Sequence, residues 1–176
     1  AADFSEMSNL PKALRDRLAQ FYRLSPLTPI DEWVSEDGLT RKVLFRLPDG
    51  ETIESVWMEY DQRQTVCVSS QVGCALGCVF CATGQSGFVR NLSPAEIVDQ
   101  VLHFCRDKAS RPSNVVLMGM GEPLLNYDAV WQAIEIWNDH QGFNLGARRI
   151  TISTAGIMNM ARQRQTWRVS ACRSSS

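Results

Sequence analysis

The chain has 176 residues, enough for one domain with a small extension, and 44% of them are hydrophobic, enough to build a core. Its formal net charge of −1 excludes an overall electrostatic preference for nucleic acid or for a membrane surface. No apolar run approaches the roughly 20 residues that span a bilayer and no signal peptide is visible, so we expect a cytoplasmic protein without membrane contact.

The first segment, residues 8–22, predicts a short helix. Ser8 or Asn9 can cap it, and Pro11 suits its first turn. An apolar stripe follows at helical spacing: Leu14, Leu18 and Phe21. Residues 24–29 contain two prolines and predict a turn-rich stretch.

Residues 41–60 predict a β-hairpin around the turn sequence "PDG". Apolar side chains alternate with polar or smaller ones on both arms: Val43, Phe45 and Leu47 on the first, then Ile53, Ser55 and Trp57 on the second. This alternation puts Glu54 on the face opposite Ile53 and Ser55.

From Thr65 onward the chain alternates strand, helix, strand, helix and strand, which is typical of a parallel α/β sheet. The five segments are "TVCVSS", "SPAEIVDQVLHFCRDK", "NVVLMG", "NYDAVWQAIEIWND" and "RRITIS". Ser93, Pro94 and Glu96 form a capping box at the start of the first helix, and Asn126 can cap the second. A distinctive loop follows each strand, so we expect all three loops at one edge of the sheet.

Three cysteines in the first of these loops have the spacing C-x3-C-x2-C: Cys74, Cys78 and Cys81. Three thiolates suit a [4Fe–4S] cluster with one open iron, and Gly73 and Gly77 allow tight turns around it. The stretch between Gln62 and Ala95 contains no acidic residue, which fits a negatively charged cluster. A zinc ion fits this pattern less well, because zinc takes four ligands and no histidine lies nearby. Structural cysteines without a metal are the other alternative.

The strings "CVSSQVGCALGCVFCATGQSGFVRNLSPAEIV", "VVLMGMGEPLLNYD" and "RRITISTAG" together resemble the RlmN/Cfr family of radical S-adenosylmethionine (SAM) RNA methyltransferases. The resemblance runs from about residue 5 to about residue 157. It implies the N-terminal part of a partial (β/α)6 radical SAM barrel, preceded by a small helical segment and a β-hairpin. The predicted divisions are an accessory helical region at 1–35, the hairpin at 36–62, the first half of the barrel at 63–157 and a divergent tail at 158–176.

The resemblance also assigns roles. It implies that Cys74, Cys78 and Cys81 bind the [4Fe–4S] cluster. Gly121, Glu122 and Ser153 would bind SAM. Cys67 would release methylated RNA from a covalent enzyme–RNA adduct, and Glu54 would accept a proton from the adenine. By sequence alone Glu51 and Glu59 compete with Glu54, and a helix-entry carboxylate is the alternative for Glu122.

The implied reaction adds a methyl group to an adenine carbon of 23S ribosomal RNA, and of tRNA, through a methyl-cysteine and a 5′-deoxyadenosyl radical. C2 is favoured over C8 only because the RlmN type is commoner. An electron donor such as flavodoxin and a monomeric full-length enzyme belong to the same expectation. The alternatives are another radical SAM enzyme, such as a glycyl-radical activase, and a non-enzymatic zinc or RNA-binding module.

Other residues have plainer predictions. Cys105 is predicted to pack in the core, and Met118 and Met120 in the core or along the site. His103 and His140 are predicted at the surface or at helix ends, and Arg148 and Arg149 either contact phosphate or charge a strand start. The expected methyl-carrying cysteine has no counterpart here, and Cys172 is unassigned. We therefore expect a fragment with a frameshifted or truncated tail, marginally stable and inactive alone.

Overall fold

The computed structural model of the chain describes residues 3–108 and 110–156. The predicted tail and Cys172 lie outside the described residues. The α-helices are α1 (Lys12–Phe21), α2 (Ala82–Gln85), α3 (Pro94–Lys108) and α4 (Tyr127–Asn138). Short 3-10 helices cover Phe4–Glu6, Pro123–Asn126 and Ala147–Arg149. Of the helices in these described ranges, none has both the length and the apolar character that crossing a bilayer requires.

Six strands form the main sheet: β1 (Thr28–Val34), β2 (Thr40–Arg46), β3 (Thr52–Tyr60), β4 (Arg63–Cys67), β7 (Asn114–Leu117) and β8 (Ile150–Ile152), in the order β1-β2-β3-β4-β7-β8. Strands β1 to β4 pair with one another in antiparallel fashion. The pairs β4–β7 and β7–β8 are parallel. Two further strands, β5 (Gln71–Gly73) and β6 (Phe88–Asn91), form a separate antiparallel pair. The parallel strands with α3 and α4 between them confirm the predicted α/β arrangement.

The sheet edge strand β1 was not predicted, because its sequence lacks the usual signals. Every residue of β1 is exposed, so no alternation of apolar and polar side chains marks it. Pro29 interrupts the pattern, and the register shifts between Pro29 and Asp31. Proline is tolerated in sheets chiefly on edge strands, which is where β1 lies.

The start of α1 differs from the prediction. Pro11, and not Ser8 or Asn9, occupies the N-cap position, and no side chain caps the helix. The Pro11 carbonyl accepts hydrogen bonds from the amides of Leu14 and Arg15. The apolar stripe is largely uncovered, since Phe21 is 70% exposed.

The hairpin of β2 and β3 has the predicted turn and faces. Phe45 pairs with Ile53 and Val43 with Ser55, and all four side chains are buried. The turn closes with Gly50 at φ +92°, a conformation that glycine adopts without strain. Glu54 lies on the opposite, half-buried face, as expected.

The core lies between this inner face of the sheet and helices α3 and α4. Phe104 of α3 packs its ring 5.9 Å from that of Trp57, and Trp137 of α4 is fully buried. Cys105 is partly buried against the same core, as predicted. His103 is not at the surface: its ring packs edge-on against Phe45 at 4.8 Å, and burial lowers its pKa. The sequence could not show this, because the partner lies on a distant strand.

The capping box of α3 is confirmed and has a third member. The amide of Ser93 donates to the Glu96 carboxylate at 2.8 Å, and the amide of Glu96 donates to the Ser93 hydroxyl at 3.3 Å. Arg90, at the end of β6, adds two hydrogen bonds to Glu96 at 2.8 and 3.0 Å and also pairs with Asp49 of the hairpin turn. Arg90 therefore ties the cysteine-bearing segment to both the hairpin and α3.

This arrangement predicts an acid-sensitive contribution to stability from Glu96. Burial opposes its ionisation, but hydrogen bonds from Arg90 and Ser93 outweigh burial and hold the pKa of Glu96 below its ordinary 4.5. The stabilisation is therefore complete above about pH 4.5 and lost as the pH falls through the lowered value. We expect Glu96→Gln to unfold about 1 kcal/mol more easily at pH 7. The difference should shrink towards pH 3 in urea titrations, whereas the exposed Glu36→Gln should match wild type at both pH values.

Candidate functional site

The loops that follow β4, β7 and β8 meet at the carboxyl edge of the sheet, as predicted. The amide of Ser70, beyond β4, donates to the carbonyl of Met120, beyond β7, at 2.8 Å. The amide of Ala155, beyond β8, donates to the Glu122 carboxylate at 2.8 Å. Direct hydrogen bonds therefore connect the three loops.

The cysteine loop is closed at its base by the β5–β6 pair. The amide of Cys74 donates to the carbonyl of Gly87 at 2.8 Å, which joins the two ends of the loop. Gly73 has φ +70°, and a Cβ there would lie 1.8 Å from the Gly87 oxygen. Only glycine fits at this crossing, so the residue before the first cysteine of the motif is dictated by backbone contact.

Cys78 and Cys81 lie on one turn that leads into α2. The amide of Cys81 donates to the Cys78 carbonyl at 3.0 Å, and Gly77 enters the turn with φ +56°. Cys74, Cys78 and Cys81 are all free thiols of intermediate burial. Between Cys78 and Cys81, the side chains of Val79 and Phe80 are 87% and 90% exposed, so the loop leaves these apolar groups uncovered.

The donor set fits a [4Fe–4S] cluster better than a single metal ion. Within residues 3–108 and 110–156, no three His, Cys, Asp or Glu side chains lie close enough together to hold one ion. A structural zinc would draw four donors around one centre, whereas each cysteine of a cluster binds a different iron and the sulfurs stand farther apart. Three free thiols of intermediate burial, in a loop without carboxylates, are the donor type that such a cluster takes.

Cys67 lies at the end of β4, on the sheet face opposite α3 and α4. One continuous register row crosses this open face: Trp33, Lys42, Val56, Cys67, Val116 and Thr151. The carbonyl of Cys67 accepts a hydrogen bond from the Ser55 hydroxyl at 2.6 Å. Burial raises the pKa of the Cys67 thiol, and a hydrogen bond from the Met118 backbone partly opposes that rise. The thiol is therefore largely protonated at neutral pH.

Glu54 shares the open face with Cys67, and its two competitors do not. Since Val56 pairs with Cys67 and side chains two residues apart share a face, Glu54 lies diagonally across from the thiol. Its carboxylate is 43% exposed and pairs with Lys42 at 3.1 Å. Glu59 lies on the other face, where it accepts a hydrogen bond from the Trp57 indole at 2.9 Å, and Glu51 precedes β3 in the turn.

Gly121 and Glu122 are fixed by close contacts rather than left free in a loop. Gly121 has φ +98°, and a Cβ there would lie 2.5 Å from the Gln71 Cβ. Glu122 is 3% exposed, and its two oxygens accept hydrogen bonds from the amides of Leu124 at 3.1 Å and Ala155 at 2.8 Å. The carboxylate thus caps the 3-10 helix, which agrees with the alternative prediction of a helix-entry carboxylate. It also holds the loop after β8.

The remaining predicted residues divide between the site and elsewhere. Ser153 is exposed at the carboxyl edge, where its amide donates to Leu117. Met118 is 58% exposed beyond the end of β7, which excludes the core and leaves the predicted place along the site; Met120 packs partly on the core. Arg148 and Arg149 precede β8, at the opposite edge from the three loops, and His140 is exposed beside Asp139 as predicted.

Three buried polar residues at this edge were missed by sequence reasoning: Gln71, Gln100 and Asn126. Asn126 begins α4 as predicted, but its side-chain amide donates to the carbonyls of Ser70 and Leu92, both at 2.8 Å, instead of capping. The one sequence signal for this burial was the polar run "SSQ" directly after an apolar strand. The signal is weak, because exposed loops and buried polar segments look alike in sequence.

Comparison with known proteins agrees with this geometry. Residues 68–167 match the radical SAM superfamily. The chain is 51% identical over 166 residues to a probable dual-specificity RNA methyltransferase RlmN of Chloroflexus aurantiacus, covering 90% of this chain and 44% of that protein. It is 55% identical over 158 residues to the dual-specificity RNA methyltransferase RlmN of Syntrophotalea carbinolica, covering 89% and 42%.

A solved structure is also similar. The crystal structure of a radical SAM methyltransferase from Sphaerobacter thermophilus superposes with a TM-score of 0.83 at 50% identity, covering 88% of this chain and 46% of that one. The chain therefore spans about half the length of the relatives it matches. The likeness confirms the predicted fold class over the described part of the chain.

The contact between Gly121 and Gln71 predicts a position-specific effect of adding one methyl group. We expect Gly121→Ala to lower the free energy of unfolding by about 2 kcal/mol or more, through both the positive φ and the overlap with Gln71. Gly146→Ala is the matched control, because Gly146 has φ −60° and open space around its Cβ position. It should stay within about 1 kcal/mol of wild type in urea unfolding. Equal losses at the two sites would contradict the assigned contact.

Proposed function

Because this chain belongs to the radical SAM superfamily, we propose that it carries the cluster- and SAM-binding part of an RNA methyltransferase that modifies an adenine carbon of 23S ribosomal RNA. The observation that carries the proposal is the open sheet face, where Cys67 and Glu54 lie beside the loop that bears three further cysteines. A thiol and a carboxylate at this place are more than cluster binding requires. They suit a reaction that both moves a proton and resolves a sulfur-linked adduct.

The proposed cofactor residues are those of the carboxyl edge. Cys74, Cys78 and Cys81 would hold a [4Fe–4S] cluster, which when bound supplies the electron for reductive cleavage of SAM. Gly121, Glu122 and Ser153 would hold SAM next to it. Glu122 has both oxygens engaged by backbone amides, but each carboxylate oxygen can accept a second hydrogen bond.

Glu54 is proposed as the proton acceptor. It is the carboxylate, of the three considered, that shares a face with Cys67, and it is partly exposed so that a substrate can reach it. The Lys42 ammonium donates a hydrogen bond to one of its oxygens at 3.1 Å and holds the carboxylate in place. The Lys42 ammonium is itself fixed 4.5 Å from the centre of the Trp33 ring.

Cys67 is proposed as the thiol that releases the product. Its sulfur would form a disulfide bond with a protein sulfur that is linked to the RNA carbon through a methylene group. The bond between that sulfur and the methylene carbon breaks, and its electron pair stays with the carbon fragment, which takes up a proton and becomes the methyl group on the RNA. Burial raises the pKa of Cys67, so we infer that a base must take the thiol proton before the attack.

The finer parts of the proposal depend on the relatives. C2 of adenine as the target, tRNA as a second substrate and a cytoplasmic location are supported by the resemblance to RlmN proteins, since both relatives described above are named dual-specificity RNA methyltransferases. The proposal also includes a flavodoxin-type electron donor and a monomeric full-length enzyme.

Cluster binding predicts that the purified chain takes up iron and sulfide under anaerobic conditions. We expect a brown chromophore and about four irons per chain, as three thiolates suit a [4Fe–4S] cluster with one open iron. Alanine at Cys74, Cys78 or Cys81 should abolish uptake, measured by iron and sulfide analysis and by absorbance. Cys105→Ala is the control that should retain it, because Cys105 packs against the core. One zinc per chain without sulfide would favour the zinc-module alternative.

The RNA reaction can be tested in a chimaera, because the chain matches about half of its relatives. Residues 5–156 would replace the matching segment of the Syntrophotalea carbinolica enzyme, and methyl transfer from labelled SAM to 23S ribosomal RNA would be measured. We expect activity in the chimaera and its loss in Glu54→Gln. Glu59→Gln, on the opposite sheet face, should remain active.

In the same chimaera Cys67→Ala should accumulate a covalent protein–RNA adduct, because the resolving thiol is gone. The adduct would appear as a slow-migrating, RNase-sensitive band on denaturing gels. Full turnover by Cys67→Ala would remove Cys67 from the mechanism, and an inactive chimaera with intact cluster would argue against RNA methylation by this segment.

A further inference from the structure

Two glutamine side chains are almost completely buried at the carboxyl edge. Gln71 is 1% exposed and Gln100 is 0% exposed. A buried amide is costly unless its oxygen and nitrogen both find hydrogen-bond partners. In this structure each glutamine has such partners, but they lie in different places.

Gln71 connects the cysteine-bearing segment to the loop after β7. Its side-chain oxygen accepts a hydrogen bond from the Glu122 amide at 2.9 Å, and its nitrogen donates to the Asn91 side-chain oxygen at 2.7 Å. Its Cβ and Cγ fill the space that a side chain at Gly121 would need. Gln71 is therefore in contact with β6 and with both Gly121 and Glu122.

The connection continues to the third loop through Glu122. The Glu122 carboxylate accepts the amide of Ala155, so Asn91, Gln71, Glu122 and Ala155 form one chain of hydrogen bonds across all three loops. Gln71 lies three residues before Cys74, on the short strand β5. Backbone hydrogen bonds to Met120 also join these segments, but the side chain of Gln71 is the one that contacts the Glu122 amide directly.

We propose that Gln71 is a positioning residue that fixes the Gly121–Glu122 backbone against the base of the cysteine loop, and thereby sets the affinity for SAM. The identity of the ligand rests on the proposed function. Gln71 itself has both polar groups engaged within the protein. Its effect is exerted through the backbone of Glu122.

Gln100 offers a matched control from the same chain. Its oxygen accepts the Ser69 amide at 2.8 Å, and its nitrogen donates to the carbonyls of Ser69 at 2.9 Å and Glu96 at 3.2 Å. These bonds join α3 to the backbone of Ser69, whose hydroxyl accepts the Met120 amide at 2.9 Å, but none of them reaches Gly121 or Glu122. Replacing Gln100 removes an equally buried amide without removing the acceptor for Glu122.

The test compares Gln71→Met with Gln100→Met in the anaerobically reconstituted chimaera with the Syntrophotalea carbinolica enzyme. Binding of labelled SAM is measured by equilibrium dialysis, and exchange of the backbone amides of residues 119–125 by mass spectrometry. We expect both variants to load iron and sulfide. Gln71→Met alone should weaken SAM binding roughly tenfold and speed exchange at Glu122 by a similar factor, as expected when one buried hydrogen bond is lost.

Asn91→Ala is the second variant, because Asn91 is exposed and its truncation should be tolerated. It removes the partner of the Gln71 nitrogen and should weaken SAM binding about threefold, a smaller effect because the bond to Glu122 survives. If Gln71→Met does not fold, unchanged SAM affinity in Asn91→Ala overturns the inference.

The outcomes separate this inference from the proposed function. A chimaera without substitutions that takes up neither iron–sulfide nor SAM overturns the proposed function, and the inference falls with it. A chimaera that binds both, with SAM affinity and Glu122 exchange unchanged in Gln71→Met, overturns the inference alone. Equal losses of SAM affinity in Gln71→Met and Gln100→Met also overturn it, because the effect would then be general to the core.

Discussion

Hydrogen bonds shielded from water hold the carboxyl edge of β4, β7 and β8 in one arrangement. The Gln71 oxygen accepts the Glu122 amide, and the Glu122 carboxylate accepts the Ala155 amide, so three loops from three strands share two polar side chains. Inside a protein such bonds are stronger than in water, and an unpaired member would be costly. The loops therefore keep their relative positions together or lose them together.

The two faces of the sheet have different tasks. Helices α3 and α4 cover the face that carries Phe45, Trp57 and Leu117, and this packing supplies the apolar core. The other face carries the row through Lys42 and Cys67 and has no helix on it among the described residues. Because the covered face stabilises the sheet, the open face is free to present a thiol and a carboxylate at the end where the three loops meet.

Local signals in the sequence predicted a large part of the fold. The capping box of Ser93 and Glu96, the hairpin alternation and the apolar strand before Gly119 each depend on neighbouring residues, and each was found in place. Strand β1 and the β5–β6 pair were missed. The first is exposed throughout, and the second consists of three- and four-residue strands whose pairing depends on the loop that separates them.

The sequence by itself determined which reactive groups the chain carries: the cysteine spacing, Cys67, Glu54 and the Gly121–Glu122 pair are readable because residue type and spacing are local properties. Only the tertiary structure decided how they are held. It placed Glu54, and neither Glu51 nor Glu59, on the sheet face of Cys67 through the register of β3 with β4, and it turned Glu122 into a link between two loops. It also buried Gln71 between them, because hydrogen-bond partners 51 positions apart in the chain meet only once the parallel strands have assembled.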